Sequence, residues 1–304
     1  MKVMVTGGAG FIGSHVVDLL IENKHEVVVV DSLVHGKKEN INKQAKFYNM
    51  DICDVDICKV FEKEKPEIVI HEAAQISVVK SVDNPIFDAN VNIIGTLNIL
   101  ECCRQYGVKK VIYPASAASF GEPKYLPIDE KHPLEMISAY GVSKHTVEHY
   151  LEVYNKLYNL DYIVLRYANV YGPRQDSSGE GGVVSIFAEK MLHNESPCIF
   201  GDGTNTRDFV FVKDVAKANY MAMLTNKVGI YNVSTNTKIS ITQLFQCFND
   251  MLKKNLKPMY ISKRKGDIEH SYMSFEKIYN ALGWQPAYDI VTGLKETIEY
   301  YRSE

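Results

Sequence analysis

The chain has 304 residues, of which 46% are hydrophobic and 23% charged, and its formal net charge is -3. This length is sufficient for one large domain or for two unequal ones. A net charge this small gives no general attraction to nucleic acid or to an anionic membrane, so any phosphate binding has to come from local groups.

The chain begins with a short apolar strand, predicted at residues 2 to 6, that leads into a glycine-rich loop. The loop reads Gly7-Gly8-Ala9-Gly10-Phe11-Ile12-Gly13, and helical periodicity follows from Ser14 to Ile21. A strand, a Gly-x-Gly-x-x-Gly turn and a helix in this order form the dinucleotide-binding fingerprint, with the pyrophosphate at the helix N-terminus. The alternative is a glycine turn that binds nothing. An NTPase phosphate loop is disfavoured because no Gly-Lys-Ser/Thr follows.

The second predicted strand, residues 26 to 30, ends at Asp31. An acid at this distance from the glycine loop receives the adenosine ribose hydroxyls, which favours NAD over NADP. Lys37 and Lys38 follow nearby and leave some use of NADP open.

Further apolar segments at residues 46 to 49, 67 to 70, 109 to 113 and 161 to 166 alternate with helical stretches. This alternation predicts an α/β fold with a Rossmann-type, doubly wound parallel sheet. Ligands of such sheets bind beyond the carboxyl ends of the strands. The residues that follow these predicted strands include Asp51, Ile52, Ala73, Ala74, Gln75, Ser116 and Asn169.

After about residue 172 the alternation gives way to Gly, Asp and Asn turns, shorter strands and helices near 182 to 193, 213 to 225, 240 to 253 and 290 to 302. We therefore predict an NAD-binding domain at residues 1 to 172 and a smaller substrate-binding portion at 173 to 304. The sheet could reclaim parts of 208 to 235, such as the segment from Gly229 to Val233.

Tyr140 and Lys144 stand four residues apart, a spacing that puts both side chains on one face of a helix. A phenol titrates near pH ~10 and needs a nearby cation to release its proton at neutral pH. Lys144 can supply that charge, so the pair could take a proton from an alcohol. Tyr-x-x-x-Lys alone is common on helix surfaces. It is the dinucleotide fingerprint at the start of the chain that favours a catalytic role for this pair.

The six cysteines form neither a Cys-x-x-Cys pair nor the framework of an extracellular disulfide protein. The chain shows no long apolar run or signal peptide. We therefore expect a cytoplasmic protein whose thiols are reduced and serve in packing.

A His-x-x-Glu-His pattern runs from His145 to His149 and resembles a zinc-peptidase motif. It continues the Tyr140 helix, rotated by about 100° per residue from the face of Lys144, so it should point away from the site. We therefore expect no metal.

Ordered motifs over almost the whole chain resemble the extended short-chain dehydrogenase/reductase family, within it the nucleotide-sugar epimerases and dehydratases, and specifically the UDP-glucose 4-epimerase type. The motifs are Thr6 to Gly13, Asp51-Ile52, His71-Glu-Ala-Ala-Gln75, Asn92-Ile-Ile-Gly-Thr96, Ser116 to Gly121, Tyr140-x-x-x-Lys144, Arg166 to Gln175, Gly201 to Phe209 and Arg264-Lys-Gly-Asp267.

The resemblance implies a catalytic set of Ser116, Tyr140 and Lys144, with the tyrosine as base and the lysine also bonded to the nicotinamide ribose. It implies NAD contacts from Gly7, Gly10, Phe11, Ile12, Gly13, Asp31, Asp51, Ile52, Ala73, Ala74, Gln75, Asn92, Tyr140 and Lys144. It implies UDP-sugar contacts from Ser116, Asn169, Val184, Phe200, Arg207, Arg264 and Asp267. Arg207 and Arg264 would clamp the diphosphate, since guanidinium groups pair with phosphate oxygens.

The chain departs from the family's pattern at Ala115 and Phe120, where a serine and a tyrosine are usual, but neither change removes a reacting group. Ala117 and Ala118 replace the Asp-Glu pair of the 4,6-dehydratases, so dehydration lacks its acid and base. Ser271 replaces the bulky tyrosine of glucose-restricted members, which would leave room for an N-acetyl group unless Tyr272 fills the gap.

The predicted reaction is NAD-dependent 4-epimerisation of a UDP-hexose, either UDP-glucose/UDP-galactose or also UDP-GlcNAc/UDP-GalNAc. The alternatives are an NAD(P)-dependent reductase of a 4-keto nucleotide sugar and a non-catalytic NAD-binding protein. The family often dimerises through two helices, here predicted near 86 to 106 and 138 to 158, so a homodimer is expected.

Overall fold

A computed structural model of the protein describes residues 1–178, 182–263 and 268–303. Contacts within the chain group the described residues into two compact units. Unit 1 comprises Met1–Phe120, Leu134–Arg166 and Ala216–Tyr231, and unit 2 comprises Gly121–Pro133, Tyr167–Val215 and Asn232–Glu304. Residues 216 to 231 group with unit 1, and they lie within the segment 208 to 235 that the sheet was expected to reclaim in part. Residues 121 to 133 and 167 to 172 group with unit 2, which differs from the predicted division at residue 172.

The main sheet has seven strands in the order β11-β6-β5-β4-β1-β2-β3. Its strands are β1 (Lys2–Thr6), β2 (Glu26–Asp31), β3 (Lys46–Asn49), β4 (Ile68–His71), β5 (Lys110–Ser116), β6 (Asp161–Tyr167) and β11 (Gly229–Val233). The pairs β1–β2, β1–β4, β2–β3 and β4–β5 are parallel. Strand order reverses next to β1, which makes this the doubly wound, Rossmann-type sheet that the alternating pattern predicted. Residues 229 to 233 are indeed part of it.

Eleven α-helices lie within the described residues, and those predicted near 182, 213, 240 and 290 begin within one residue of these positions. The eleven are α1 (Phe11–Glu22), α2 (Ile57–Glu64), α3 (Val78–Asp83), α4 (Pro85–Ala89), α5 (Thr96–Tyr106), α6 (Ala139–Tyr158), α7 (Val183–Leu192), α8 (Val212–Leu224), α9 (Ile241–Leu252), α10 (Glu276–Leu282) and α11 (Ile290–Ser303). Between α4 and α5 the chain stays helical but widens into a π-helical segment, Asn90–Gly95. Of the helices in the described ranges, none is long and apolar enough to cross a membrane.

The core of unit 1 lies along the strands of the sheet. Val28, Val30, Val69 and Val111 are fully buried, as continuous apolar strands with helices on both faces should be. Each such side chain stabilises the fold by roughly 1.5–3 kcal/mol through its removal from water. This packing holds the carboxyl ends of β1, β4 and β5 in line, and the predicted cofactor residues follow those ends.

Unit 2 contains short strand pairs in place of a large sheet. Its strands are β7 (Asn169–Tyr171), β8 (Cys198–Phe200), β9 (Thr206–Arg207), β10 (Phe209–Phe211), β12 (Ile239–Ser240) and β13 (Met259–Ile261). β7 pairs with β10 and β8 with β13, both parallel, while β9 and β12 are antiparallel.

Candidate active site

The glycine loop after β1 leaves the first turn of α1 open to a ligand. Gly10 is the N-cap residue of α1, and no side chain of the described residues caps the helix. A Cβ atom on Gly13 would lie 2.2 Å from the carbonyl oxygen of Gly7, so only glycine allows the helix to start this close to the loop. The backbone N–H groups of Phe11, Ile12 and Gly13 are thus available to an anion such as a pyrophosphate.

Asp31, at the end of β2, is held beside the same loop. Its Oδ2 accepts a hydrogen bond from the backbone N–H of Ala9 at 3.0 Å, and its Oδ1 accepts one from Leu33 at 2.8 Å. These bonds hold the carboxylate above the loop, where the sequence placed the ribose acceptor. Lys37 and Lys38 are exposed on the turn that follows.

The loop after β3 carries Asp51 and Ile52. Helix α5 packs against this loop and binds it through Asn98. The amide of Asn98 donates to the carbonyl of Ile52 at 2.8 Å, and a Cβ on Gly95 would lie 2.9 Å from Cδ1 of Ile52. Asp51 accepts a hydrogen bond from the backbone of Cys53 at 2.8 Å, which closes the turn. The π-helical segment and this loop therefore form one packed wall of the candidate cofactor site.

Gln75 and Asn92 form a buried network at the end of β4. The backbone N–H of Gln75 donates to Oδ1 of Asn92 at 2.8 Å, and the Asn92 amide donates back to the Gln75 carbonyl at 3.0 Å. The amides of both residues donate to Oδ1 of Asp88, at 2.7 Å from Gln75 and 3.1 Å from Asn92. Asn92 also donates to Oγ of Ser143 on α6 at 3.1 Å. The wider π turn thus presents Asn92 to three segments at once, an arrangement often found near functional sites.

His71 belongs to the same network, although the sequence analysis gave it no role. Its Nδ1 is 2.7 Å from Oγ1 of Thr6, and its Nε2 is 3.0 Å from Oγ1 of Thr96. Thr96 donates its own proton to the carbonyl of Asn92 at 2.6 Å, so it can only accept from Nε2–H of His71. Thr6 then donates to Nδ1 and accepts from the backbone of Ala73 at 3.3 Å. The neutral imidazole therefore links β1 and β4 to the start of α5. The only sequence signal was its place in the family motif.

Ser116 and Tyr140 come together because α6 begins very close to the turn that follows β5. Ser138 caps α6 through the backbone of Gly141 at 3.1 Å, and a Cβ on Gly141 would lie 2.7 Å from the Ala118 carbonyl oxygen. Ser116 Oγ accepts from the backbone of Ala118 at 3.2 Å, which leaves its hydroxyl proton free to be donated. The Ser116 side chain lies close enough to Tyr140 to lower the pKa of the phenol.

The surroundings of Tyr140 favour the neutral phenol. Burial raises its pKa to about 12, the hydrogen bond from Ser116 acts in the opposite direction, and the carboxylates of Asp88 and Glu72 raise it further. Among the groups around Tyr140, Ser116 is thus the one that favours the phenolate. From the sequence, Lys144 was expected to have this effect.

Lys144 is 4% exposed, and its ammonium points into the interior. Nζ donates to the carbonyl of Pro114 at 2.8 Å and lies 4.8 Å from the centre of the Tyr113 ring. Burial lowers its pKa to about 8, and the carboxylates of Glu72 and Asp88 oppose that shift. A lysine balanced in this way can be charged at neutral pH and still respond to a ligand.

Four of the described substrate-binding predictions fall on one cleft of unit 2, whereas Ser116 lies in unit 1 at the end of β5. The cleft has a volume of about 380 Å³. Asn169, Val184, Phe200 and Arg207 all line it, together with Gln175, Cys198, Asn205 and Ile241 among others. Val184 is almost fully buried at the cleft wall, with 1% of its surface exposed. The two remaining predictions, Arg264 and Asp267, lie outside the described residues.

Arg207 and Asn169 are oriented by the backbone around them. Nη1 of Arg207 donates to the carbonyl of Thr206 at 2.9 Å, and the Asn169 amide donates to the carbonyl of Asp208 at 3.0 Å. Asp208 in turn accepts from the backbone of Thr235 at 2.9 Å, and burial raises the pKa of its carboxyl to about 6. Both side chains are thus anchored to the backbone of β9 or of the residue that follows it.

The His-x-x-Glu-His stretch forms an ion cluster on α6. Glu148 accepts two hydrogen bonds from Arg166, at 2.9 Å and 2.6 Å, and is 2.8 Å from Nδ1 of His145. Both carboxylate oxygens are therefore engaged. In the ranges the structure describes, no group of three His, Cys, Asp or Glu side chains could hold a metal ion.

Comparison with known proteins assigns the chain to a family. The model of the NAD dependent epimerase/dehydratase family matches residues 3–234. The chain belongs to this family. It is 47% identical over 302 residues to a putative UDP-glucose 4-epimerase of Methanocaldococcus jannaschii, covering 99% of this chain and 98% of the relative.

Solved structures show the same fold. A UDP-glucose 4-epimerase of Thermotoga maritima with UDP-glucose is 46% identical with a TM-score of 0.98, covering 100% of this chain and 99% of that one. A UDP-N-acetylglucosamine 4-epimerase of Methanobrevibacter ruminantium in complex with UDP-N-acetylmuramic acid is 36% identical with a TM-score of 0.95, covering 99% and 98%. The predicted family and fold are confirmed.

NAD is the cofactor of this epimerase/dehydratase family, and the residues of unit 1 fit it. The uncapped N-terminus of α1 suits a pyrophosphate, and Asp31 suits a ribose without a 2'-phosphate. The individual contacts of all the predicted residues with NAD stay predictions.

The buried His71 should make stability depend on pH. Burial lowers its pKa from 6.5 to about 3 in the folded protein. The unfolded chain therefore takes up a proton below about pH 6.5 that the folded chain does not, and stability falls as pH drops through this window, by about 1.4 kcal/mol per unit. The free energy of unfolding is measured by urea denaturation at pH 7 and at pH 5. We expect the decrease between these two pH values to be roughly 2 kcal/mol smaller for His71→Gln than for the unsubstituted protein.

The exposed His35 provides the control, since His35→Gln should follow the unsubstituted protein at both pH values. An equal loss for His71→Gln and the unsubstituted protein would show that His71 does not stay neutral in the fold.

Proposed function

We propose that the protein interconverts the C4 epimers of a UDP-hexose. The observation that carries this proposal is the placement of Ser116, Tyr140 and Lys144 at the end of β5 and the start of α6, in the same unit as the glycine loop. NAD, when bound, supplies the acceptor and donor of the hydride at carbon 4.

Tyr140 acts as the base in this proposal. Its phenolate removes the proton of the 4-hydroxyl, and Ser116, whose hydroxyl proton is free, orients that hydroxyl and shares the proton. A phenol whose pKa is about 12 requires a cation to ionise at neutral pH. In the structure Ser116, not Lys144, is the group that lowers the pKa of Tyr140, so we propose that the ammonium of Lys144, one helical turn away on α6, supplies that charge when the site is occupied. The 4-keto sugar then turns over and is reduced on its other face, so no net oxidation occurs.

The turn after Ser116 supports epimerisation over dehydration. Ala117 and Ala118 form the start of a short 3-10 turn, Ala117–Ser119, directly beside the reacting hydroxyl. Methyl groups there can neither protonate a leaving water nor remove a proton from carbon 5.

UDP is the nucleotide that we propose for the cleft of unit 2. Arg207 supplies a guanidinium with donors suited to a diphosphate, Asn169 an amide, and Phe200 a ring for the base. The UDP-sugar relatives described above support this choice.

The homodimer and the cytoplasmic location stay predictions. Exposed apolar side chains on two helices of unit 1 support the dimer: Ile86 at 74%, Ile94 at 56%, Val153 at 45% and Leu157 at 64% exposure.

Replacing Tyr140 by phenylalanine tests the base directly. The variant keeps the ring but cannot take up the proton, so we expect turnover of UDP-glucose to fall by a factor on the order of 10² or more. Turnover is followed by proton NMR of the UDP-glucose/UDP-galactose mixture.

Tyr150→Phe is the matched control, because Tyr150 lies on the same helix but is 37% exposed. It should retain the rate of the unsubstituted protein. Both variants should carry the same amount of NAD after purification, which separates lost chemistry from lost cofactor. Unchanged turnover of Tyr140→Phe would refute the assignment.

Substrate size is the finer part of the proposal. The backbone N–H of Ser271 donates to the carbonyl of Thr206 at 3.2 Å, and Thr206 directly precedes Arg207, which lines the cleft. Nζ of Lys238 lies 5.4 Å from the centre of the Tyr272 ring. This cation–π contact engages the ring elsewhere, so we do not expect it to fill the gap beside Ser271. We therefore propose that the small side chain of Ser271 admits the N-acetyl group of UDP-GlcNAc.

Ser271→Tyr should depress kcat/KM for UDP-GlcNAc by roughly 10-fold or more relative to that for UDP-glucose, because the added ring fills the space of the N-acetyl group. Ser303→Tyr, at an exposed site near the end of α11, controls for the effect of a new tyrosine. An equal loss on both substrates would count against the role of Ser271.

A further inference from the structure

Two cysteines of unit 1 face each other between neighbouring helices. The Sγ atoms of Cys58 on α2 and Cys102 on α5 are 2.9 Å apart. Nonbonded heavy atoms usually lie ~3.5–4.0 Å apart, and a disulfide bond is ~2.05 Å long. The two thiols are therefore in direct contact, at a distance that a small side-chain movement would convert into a bond. From the sequence, these thiols were expected to serve only in packing.

The helices hold the two thiols in place. Ile57 and Phe61 of α2 are fully buried, as are Ile99 and Cys103 of α5. The amide of Asn98 donates to the carbonyls of Ile52 and Asp54, at 2.8 Å and 3.0 Å, and so ties α5 to the loop that precedes α2. Because both helices are anchored in the same core, the thiols meet at a high effective concentration.

The two thiols differ in access. Cys58 is partly exposed, whereas Cys102 has no exposed surface. An oxidant from solvent therefore reaches Cys58 first, and Cys102 can only react with what Cys58 has become. This is the arrangement of an attacking and a resolving cysteine.

We propose that Cys58 and Cys102 form a reversible disulfide bond that ties α2 to α5. The oxidant is a low-molecular-weight disulfide, RSSR. The Cys58 thiolate attacks one sulfur of RSSR, the S–S bond breaks, and one RS⁻ leaves and takes up a proton. The Cys102 thiolate then attacks the sulfur of Cys58 and expels the second RS⁻. Two protein thiols and one RSSR thus give one protein disulfide and two RSH, a two-electron exchange.

The bond would strengthen one wall of the candidate cofactor site. α2 follows the loop of Asp51 and Ile52, and α5 continues the π-helical segment that carries Asn92. The cross-link joins residues 44 positions apart in the chain, so it restricts the unfolded chain far more than the folded one. Burial, together with the neighbouring Cys58 thiol, raises the pKa of Cys102, so closure of the disulfide should become faster as pH rises.

The test uses the full-length protein, purified with reductant and then incubated with oxidised glutathione. We expect the number of titratable thiols to fall from six to four, since two are consumed, and the mass to fall by about 2 Da. Peptide mapping should join the peptides of Cys58 and Cys102. The Tm should rise by on the order of 5 °C and return when dithiothreitol is added.

Three variants sharpen the result. Cys58→Ser and Cys102→Ser should each abolish the intramolecular cross-link, whereas Cys53→Ser, which removes an exposed thiol of the same region, should leave it intact. A cross-link that maps to other cysteines, or a persistent glutathione adduct without any cross-link, would overturn the proposal. Mapping of the unsubstituted protein decides the question even if a variant fails to fold.

Discussion

The buried side chain of Asn92 has to be hydrogen-bonded, and the site of unit 1 is arranged around that requirement. Its NH2 group, with two N–H donors, lies within hydrogen-bond distance of acceptors on Gln75, Asp88 and Ser143, and its oxygen accepts from Gln75. Each bond contributes only about 1 kcal/mol, but a buried amide left without partners costs about 1–3 kcal/mol. Ser143 donates in turn to the carbonyl of Tyr140 at 3.1 Å. The loop after β4, helix α4 and the start of α6 are therefore held together through one residue.

Burial also sets the acid–base chemistry. It shifts Tyr140 and Lys144 in opposite senses, raising the pKa of the phenol to about 12 and lowering that of the ammonium to about 8. Both shifts favour the neutral groups, because a charge is poorly solvated there. A ligand that brings charge into this site would therefore change the ionisation of both groups. Without such a ligand Tyr140 is therefore almost entirely protonated at neutral pH, and the fraction present as phenolate depends on what is bound.

The strands and most helices were predictable because the apolar runs and their spacing are local signals. The glycine loop, Asp31, Ser116 and the Tyr140–Lys144 pair were predictable for the same reason, with the family resemblance adding their roles. The strand predicted at residues 67 to 70 lies one residue later in the structure, at Ile68–His71. The partly exposed Glu72 therefore follows directly after its end.

Other features depend on contacts that no local pattern reveals. From its sequence, the π-helical segment cannot be told from an ordinary α-helix. Its wider turn depends on hydrogen bonds between Asn92 and residues that are distant in the sequence. His71 received no role because its partners, Thr6 and Thr96, are far apart in sequence. The grouping of residues 121 to 133 with unit 2 likewise rests on pairing such as that of Ile128 with Met273. Arg264 and Asp267 lie outside the described residues, so their predicted roles rest on the motif.

The most direct measurement of the central claim follows the hydrogen at carbon 4. The purified protein is incubated with UDP-glucose carrying deuterium at that carbon, without added NAD, and the products are observed by NMR. If the protein epimerises by transient oxidation with retained cofactor, UDP-galactose forms and keeps its deuterium at carbon 4. Formation of UDP-galactose with hydrogen from solvent at carbon 4, or a reaction that consumes added cofactor stoichiometrically, would contradict the account.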